Sequence, residues 1–236
     1  SRSFPEMGGS MQQLEISVIA RIHNDFETKF GIPRQSGLAE HLRSMIVFEP
    51  PYRTMDALRG LEEFSHLWLI WQFSQAAGKP WSPTVRPPRL GGNTRLGVFA
   101  TRSPFRPNNL GLSCVKLDKV ELHPALGPVL YVLGADLMDG TPIFDIKPYI
   151  PYADAHPEAS QGFTAAGKDF SLEVVFPEEL LQKIPSEKQA GLWEVLSQDP
   201  RPSYHNDPER IYGLPFGGFD IRFRVQDGTL TVVEII

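Results

Sequence analysis

From Leu14 to Ile22 apolar residues (Leu14, Ile16, Val18, Ala20, Ile22) alternate with more polar ones, which predicts a half-buried strand. Phe64 to Phe73 is almost continuously apolar and contains Trp68, Ile70 and Trp71, which predicts a strand buried on both faces. Further strands are predicted over Arg95 to Thr101, Leu110 to Leu122, Val129 to Asp136 and Thr141 to Ile146. Within Leu110 to Leu122 the apolar phase shifts, Val115 and Leu117 giving way to Val120 and Leu122, which places a bulge at Asp118-Lys119. Asp139-Gly140 signals a tight turn between the last two strands, and Met55 to Leu61 a short helix. Strand follows strand without amphipathic helices between them. That pattern disfavours a doubly wound α/β fold and predicts an antiparallel, barrel-like sheet.

From Asp154 to Lys168 the pattern lapses into polar and small residues, as in a linker. Beyond it, Leu172 to Phe176 reads as a strand, with Pro177 at the first position of a helix running through Leu181. Ser186-Glu187-Lys188-Gln189 resembles a capping box opening a second helix through Leu196. Phe219, Ile221, Phe223 and Val225 alternate with polar residues, and Asp227-Gly228 joins them to Leu230 through Ile236 as a hairpin. The expectation is a mainly β chain, with an antiparallel barrel-like domain over residues 11–160 and a small α+β domain over 168–236. Residues 1–10, SRSFPEMGGS, read as a cloning remnant or disordered tail.

Composition agrees, with 20 glycines and 22 prolines among 236 residues, an excess that suits turns rather than a helical bundle. No apolar run is longer than Leu67 to Trp71, far too short to span a membrane, and no basic-then-apolar leader opens the chain, so a cytoplasmic location is expected. The single cysteine, Cys114, excludes an internal disulfide and reads as an inert buried thiol. The six histidines never occur at metal-ligand spacing, so no metal is expected, and His66 reads as a hydrogen-bonded core residue.

Charge changes the picture. The net charge is −5, yet Phe64 to Leu117 holds no Asp or Glu and seven basic residues: Lys79, Arg86, Arg89, Arg95, Arg102, Arg106 and Lys116. A segment that keeps charges of one sign only points to a polyanion or phosphate partner. There is no phosphate-binding P-loop and no GxGxxG after a strand, which argues against nucleotide kinases, Rossmann dehydrogenases and the commonest methyltransferase fold. Three segments carry more polar chemistry than ordinary turns need: Pro33 to Ser36, Arg89 through Gly111, and Asp136 through Lys147. Singly each reads as turn chemistry; together they point to a site assembled from several loops.

The run GVFATRSPFRPNN, with DGTP and DIKPY downstream and PRQ upstream, strongly resembles the TsaA-like (TrmO) family of S-adenosylmethionine-dependent tRNA methyltransferases. Gln198-Asp199-Pro200-Arg201-Pro202-Ser203-Tyr204-His205 to Tyr212-Gly213 resembles the second domain of its bacterial members. The resemblance implies a barrel-like methyltransferase domain, a homodimer, S-adenosyl-L-methionine as cofactor, and methylation of N6 of N6-threonylcarbamoyladenosine next to the anticodon of tRNA. It puts cofactor contacts on Pro33, Arg34 and Gln35, on Ser74 and Gln75, on Arg102 and Leu112, and on Asp139, Gly140, Thr141 and Pro142. The chain departs from the family pattern at Ser74, where histidine is common, and at Asn109, where proline is.

On this reading Asp139 or Asp145 is the candidate base, since the acceptor nitrogen is delocalised and needs proton removal. Arg102 or Arg106 is the candidate catalytic cation for the threonyl carboxylate. Lys79, Arg86, Arg89 and Arg106 are candidate tRNA contacts, with Phe105 and Trp81 stacking on bases of the anticodon loop. Two alternatives stay open: a non-catalytic RNA-binding module, and a methyltransferase of the same fold with another acceptor.

Overall fold

The structure is a computed structural model, described here for residues 9–25, 41–87, 94–167, 171–201 and 207–236. Its first part is built from β1 (Ala20–His23), β2 (Arg43–Phe48), β3 (His66–Gln72), the short pair β4 (Thr84–Val85) and β5 (Leu96–Gly97), β6 (Leu110–His123), β7 (Gly127–Leu133) and β8 (Pro142–Pro148). Six of these pair antiparallel in the order β1-β2-β7-β6-β3-β8, and β8 returns to β1 to close the ring. The closing pairing is short, with register partners Ala20↔Ile143 and Arg21↔Pro142, extended by the amides of Ile19 and Ile22 donating to the carbonyls of Ile143 (2.9 Å) and Thr141 (3.2 Å). Alternate residues of every strand point inward, so Ile22, Ile46, Leu67, Leu69, Leu130 and Ile143 fill the interior with no solvent exposure.

The mainly β, antiparallel expectation is met, and the β6 bulge falls where the phase shift put it, between Leu117 and Lys119. Several elements differ. The first strand begins only at Ala20, leaving Leu14 and Ile16 exposed, because β2 ends at Phe48 and Pro50 and Pro51 have no amide to extend the ladder. β3 buries one face, not two: Leu67, Leu69 and Trp71 point in, while His66 and Trp68 lie on the outer wall with their rings against Tyr149. His66 does pair with a hydroxyl, Nδ1 lying 2.7 Å from Ser65 Oγ, but outside the core. Arg95 to Thr101 gives only the two residues of β5 before turning into a 3₁₀ turn at Val98–Ala100, and Met55 to Leu61 gives 3₁₀ turns rather than an α-helix. Asp139-Gly140 does not close a hairpin: β7 sits between β2 and β6, β8 between β3 and β1, and residues 134–141 cross between them. Cys114 is part-buried rather than buried; burial first, then the charge of Asp154, still raises its thiol above the ordinary value, which suits an inert side chain.

After α1 (Pro151–Asp154), the second part comprises β9 (Glu173–Val175), α2 (Glu178–Leu181), α3 (Ser186–Ser197), β10 (Tyr212–Phe216), β11 (Phe219–Gln226) and β12 (Thr229–Ile235). Its sheet runs β10-β11-β12-β9, with β9 parallel to β12, over a separate core including Leu192, Leu196, Leu214 and Phe223. The β11–β12 hairpin forms as expected, with Asp227 and Gly228 at φ 50° and 78°, the positive values a type I′ turn requires. The predicted capping box does not form. Ser186 is already the first helical residue, and Pro185 stands at the cap with no side-chain hydrogen bond. Pro177 likewise caps α2 instead of entering it.

Candidate functional site

In an antiparallel ring, alternate connections leave from the same end. The register partners His23↔Met45, Arg43↔Leu133, Gln72↔Leu110 and Arg21↔Pro142 fix that end here. Three connections leave from it: residues 24–42, 73–109 and 134–141. The described parts of two polar segments singled out in the sequence, residues 94–109 and 136–141, therefore meet on one rim, while the shorter connection at 124–126 turns at the other. Pro33, Arg34, Gln35 and Arg89 fall outside the described residues.

The 134–141 connection is laced to the end of β1. The Gly140 amide donates to Ile22 O (2.7 Å), and Arg21 donates to Gly140 O (3.1 Å). Asn24 uses both its groups: Nδ2 donates to Leu137 O (2.7 Å) and its backbone amide to Asp139 Oδ1 (3.0 Å). His23 Nδ1 lies 3.4 Å from the same carboxylate oxygen. Thr141 is buried and folds back through Oγ1 to Met138 O (2.7 Å), and Gly140 takes φ 81°, a value that demands glycine. Asp139 is thus fixed through Oδ1, while its side chain remains 41% exposed and Oδ2 has no protein partner among the described residues. A carboxylate held by one oxygen presents the other to hydroxyl or ammonium donors.

Residues 98–109 form a self-bonded turn. Arg106 NH1 donates to the carbonyls of Thr101 (2.8 Å), Ser103 (3.2 Å) and Val98 (3.4 Å). Asn109 Nδ2 donates to Pro104 O (2.7 Å), which gives the departure at this position a structural task, and its carbonyl accepts from the Phe73 amide (2.9 Å). Arg106 is part-buried; Arg102 and Phe105 are exposed on the same turn, as are Ser74 and Gln75 on the 3₁₀ turn directly after β3. Lys79, Arg86, Arg95 and Lys116 are also exposed and make no ion pair with a described residue. Trp81 is half exposed.

Leu112 and Asp145 are not on the rim loops. Ile70 pairs with Leu112 on one side and Asp145 on the other, so the three form a row across the outer wall of β6, β3 and β8. At ordinary strand spacing the two ends of that row are about 10 Å apart. Asp145 is exposed, with Oδ1 accepting its neighbour's amide from Ile146 (2.9 Å), and Leu110 and Leu112 are exposed beside it on β6. Sequence reasoning missed two groups. One is the set His23, Asn24 and Arg21 that holds the Asp139 turn. The other is a buried relay in which Trp71 Nε1 donates to Ser113 Oγ (2.9 Å) and Ser113 donates to Asp136 (2.5 Å). Its sequence signal is Gly111, directly opposite Trp71 on the neighbouring strand.

Among the described residues no three of His, Cys, Asp and Glu cluster as metal ligands, and no helix is long and apolar enough to cross a membrane.

Comparison with known proteins bears on this geometry. Residues 21–155 match the family model of the tRNA-methyltransferase O N-terminal domain, and residues 169–236 that of the TrmO C-terminal domain. A tRNA (adenine(37)-N6)-methyltransferase of Escherichia coli K12 is 42% identical over 234 residues, 95% of this chain and 99% of that protein. A relative in Pseudomonas aeruginosa, named as an S-adenosylmethionine-dependent methyltransferase, is 42% identical over 216 residues, 88% of this chain and 91% of that protein. The crystal structure of a TrmO from P. aeruginosa superposes with a TM-score of 0.79 at 35% identity, covering 96% of this chain and 98% of that one.

Proposed function

The chain belongs to the tRNA-methyltransferase O family, and from that premise we propose that it methylates N6 of N6-threonylcarbamoyladenosine next to the tRNA anticodon, with S-adenosyl-L-methionine as donor. The observation that carries this reading is the meeting of the connections at 94–109 and 134–141 on one rim around a carboxylate with one open oxygen, next to an acid-free basic stretch.

The residues present fit such a donor. Asp139 has an acceptor turned outward for ribose hydroxyls or an ammonium, Gly140 to Pro142 form the rigid turn beneath it, and Leu112 offers an exposed apolar surface on the adjoining wall. The donor supplies an electrophilic methyl group on a sulfonium, so the protein's task is chiefly positioning. Asp139, whose open oxygen is assigned to the donor, is suited to holding rather than to accepting a proton. Asp145, exposed on the outer wall in the same row as Leu112, is then the proton acceptor for the delocalised N6. Arg102, exposed, is the partner of the threonyl carboxylate; Arg106, with NH1 spent on three loop carbonyls, shapes the turn that presents it. Lys79, Arg86, Arg89 and Arg95 contact phosphates, and Phe105 and Trp81 stack on loop bases. The exposed Leu110 and Leu112 on β6 support burial of this wall against a second copy in a homodimer. The two parts of the chain act as domains over residues 11–160 and 168–236 in a cytoplasmic enzyme.

Calorimetric titration with S-adenosylhomocysteine, paired with methyl transfer to threonylcarbamoylated and unmodified tRNA, tests this. Saturable binding lost in Asp139→Ala, retained in Asp145→Asn together with a kcat reduced at least a hundredfold, and activity confined to the modified tRNA are the expected results. Absence of binding with tRNA present would reduce the protein to an RNA-gripping module. Equal activity on unmodified tRNA would refute the acceptor.

A further inference from the structure

Three consecutive residues at the end of β1 reach in two directions. His23 and Asn24 hold the carboxylate of Asp139, as described above. Asp25, the next residue, turns to the second part of the chain: Lys188 Nζ, in the first turn of α3, donates to Asp25 Oδ1 (2.6 Å), and the amide of Gly217, in the β10–β11 turn, donates to Asp25 O (3.3 Å). Both partners of the ion pair are only 30% exposed, so water screens it less than a surface pair. Gly217 adopts φ 58°, and a Cβ there would lie 3.3 Å from Lys188 Nζ and 3.5 Å from Asp25 Oδ1, so the turn leaves little room around the pair.

The far end of the same connection is tied in the same way. Leu42, just before β2, buries its side chain in the second core, where a Cβ on Gly191 of α3 would come within 2.6 Å of it. Its carbonyl accepts from the Gly134 amide (3.1 Å), at the point where the 134–141 connection begins. His41 Nε2 lies 3.2 Å from Glu194 Oε1 of α3. Helix α3 therefore grips the described ends of one rim connection, and through Asp25, next to Asn24, and Leu42 it is linked to both the Asp139 turn and the start of its loop.

We propose that Lys188 is a positioning residue for the site: α3 of the C-terminal part holds Asp25, and so sets the Asn24 amide that orients Asp139 towards the bound donor. The proposal rests on the reading of Asp139 as a donor-binding carboxylate. It assigns the second part of the chain a role in the chemistry of the first without contact between α3 and substrate.

The test uses the full chain in four variants, Lys188→Met, Lys188→Asp, Asp25→Lys and the charge-swapped pair Asp25→Lys with Lys188→Asp, with Asp139→Ala as reference. Lys188→Met is expected to weaken S-adenosylhomocysteine binding about tenfold, within the range typical of coupling between separate sites. KM for the donor should rise in step while KM for tRNA is held, and hydrogen exchange at the Asn24 amide should accelerate. The swapped pair should recover most of the affinity that either charge change alone loses, a rescue that a general loss of stability would not show. Unchanged donor affinity and Asn24 exchange in Lys188→Met, with binding still abolished by Asp139→Ala, would overturn the proposal and leave the site intact. Undiminished binding in Asp139→Ala would instead overturn the reading on which it rests.

Discussion

Gly111 is the position at which one added methyl group should do most damage to the barrel. It lies in β6 directly opposite Trp71 of β3, and the indole fills the space a side chain would need. A Cβ on Gly111 would stand 2.3 Å from Trp71 Cε2, 2.4 Å from Cζ2 and 2.7 Å from Cδ2, all well inside van der Waals contact. The indole cannot yield freely. It is 6% exposed, packs edge-on against Phe73 with centroids 4.3 Å apart, and donates Nε1 to the buried Ser113 hydroxyl at 2.9 Å. Gly111→Ala must therefore overpack the interior, at about 1–3 kcal/mol, and stretch or break the Trp71–Ser113 hydrogen bond, at about 0.5–1.5 kcal/mol. The sum is about 1.5–4.5 kcal/mol, a large share of the stability of an ordinary domain. Urea denaturation monitored by circular dichroism reads it: with a slope of about 2–3 kcal/mol/M, the midpoint of the barrel's transition should fall by about 0.5–2 M. Trp71→Phe removes the benzo ring that carries the clash, so in that background Gly111→Ala should cost at least about 1 kcal/mol less. A single variant Gly111→Ala within about 0.5 kcal/mol of the parent, or one whose cost is the same with Trp71 and with Phe, would refute the packing argument.

Two further outcomes follow from the same geometry. Asp154 Oδ2 accepts from the Ile150 amide (2.9 Å) and from Trp68 Nε1 (3.0 Å), and these bonds, the backbone one foremost, hold its carboxyl below the usual carboxylate range. Its stabilising contribution is present above the unfolded carboxylate pKa and is lost as pH falls through the depressed folded value, so the gap in melting temperature between the parent and Asp154→Asn should be full at pH 7 and shrink towards pH 3; an equal gap at both would refute the linkage. On the rim, Arg102→Ala should raise KM for threonylcarbamoylated tRNA about tenfold or more, the scale of a charge-assisted hydrogen bond, without changing protease resistance, whereas Arg106→Ala should expose the turn at residues 98–106 to cleavage; the reverse pattern would exchange their roles.

How far the sequence reveals this molecule depends on the range of the interaction that fixes each feature. Strand alternation is a local signal, so β6 with its bulge and the β11–β12 hairpin were legible in the order of residues alone. Three polar segments stood out because arginines occupied places where a turn needs none, and an antiparallel ring brings the described connections at 94–109 and 134–141 to one rim as a matter of parity. What misled was local resemblance without its context. Trp68 and His66 read as core because they are apolar or aromatic, yet a single ring, Tyr149, covers them. Ser186 read as a cap because glutamine follows three residues later, yet Pro185, preset at φ −50°, had already taken that place. His23, Asn24 and Asp25 carried no local signal. Asn24 bonds Asp139, 115 residues away, and Asp25 bonds Lys188, 163 residues away, and neither separation leaves a periodicity or a motif. Glycines are the exception that makes part of such long-range packing readable. Gly111 within a strand and Gly191 within a helix each lose stability through backbone freedom and gain nothing locally, which is explained only by a neighbour that fills the missing side chain's space; here those neighbours are Trp71 and Leu42.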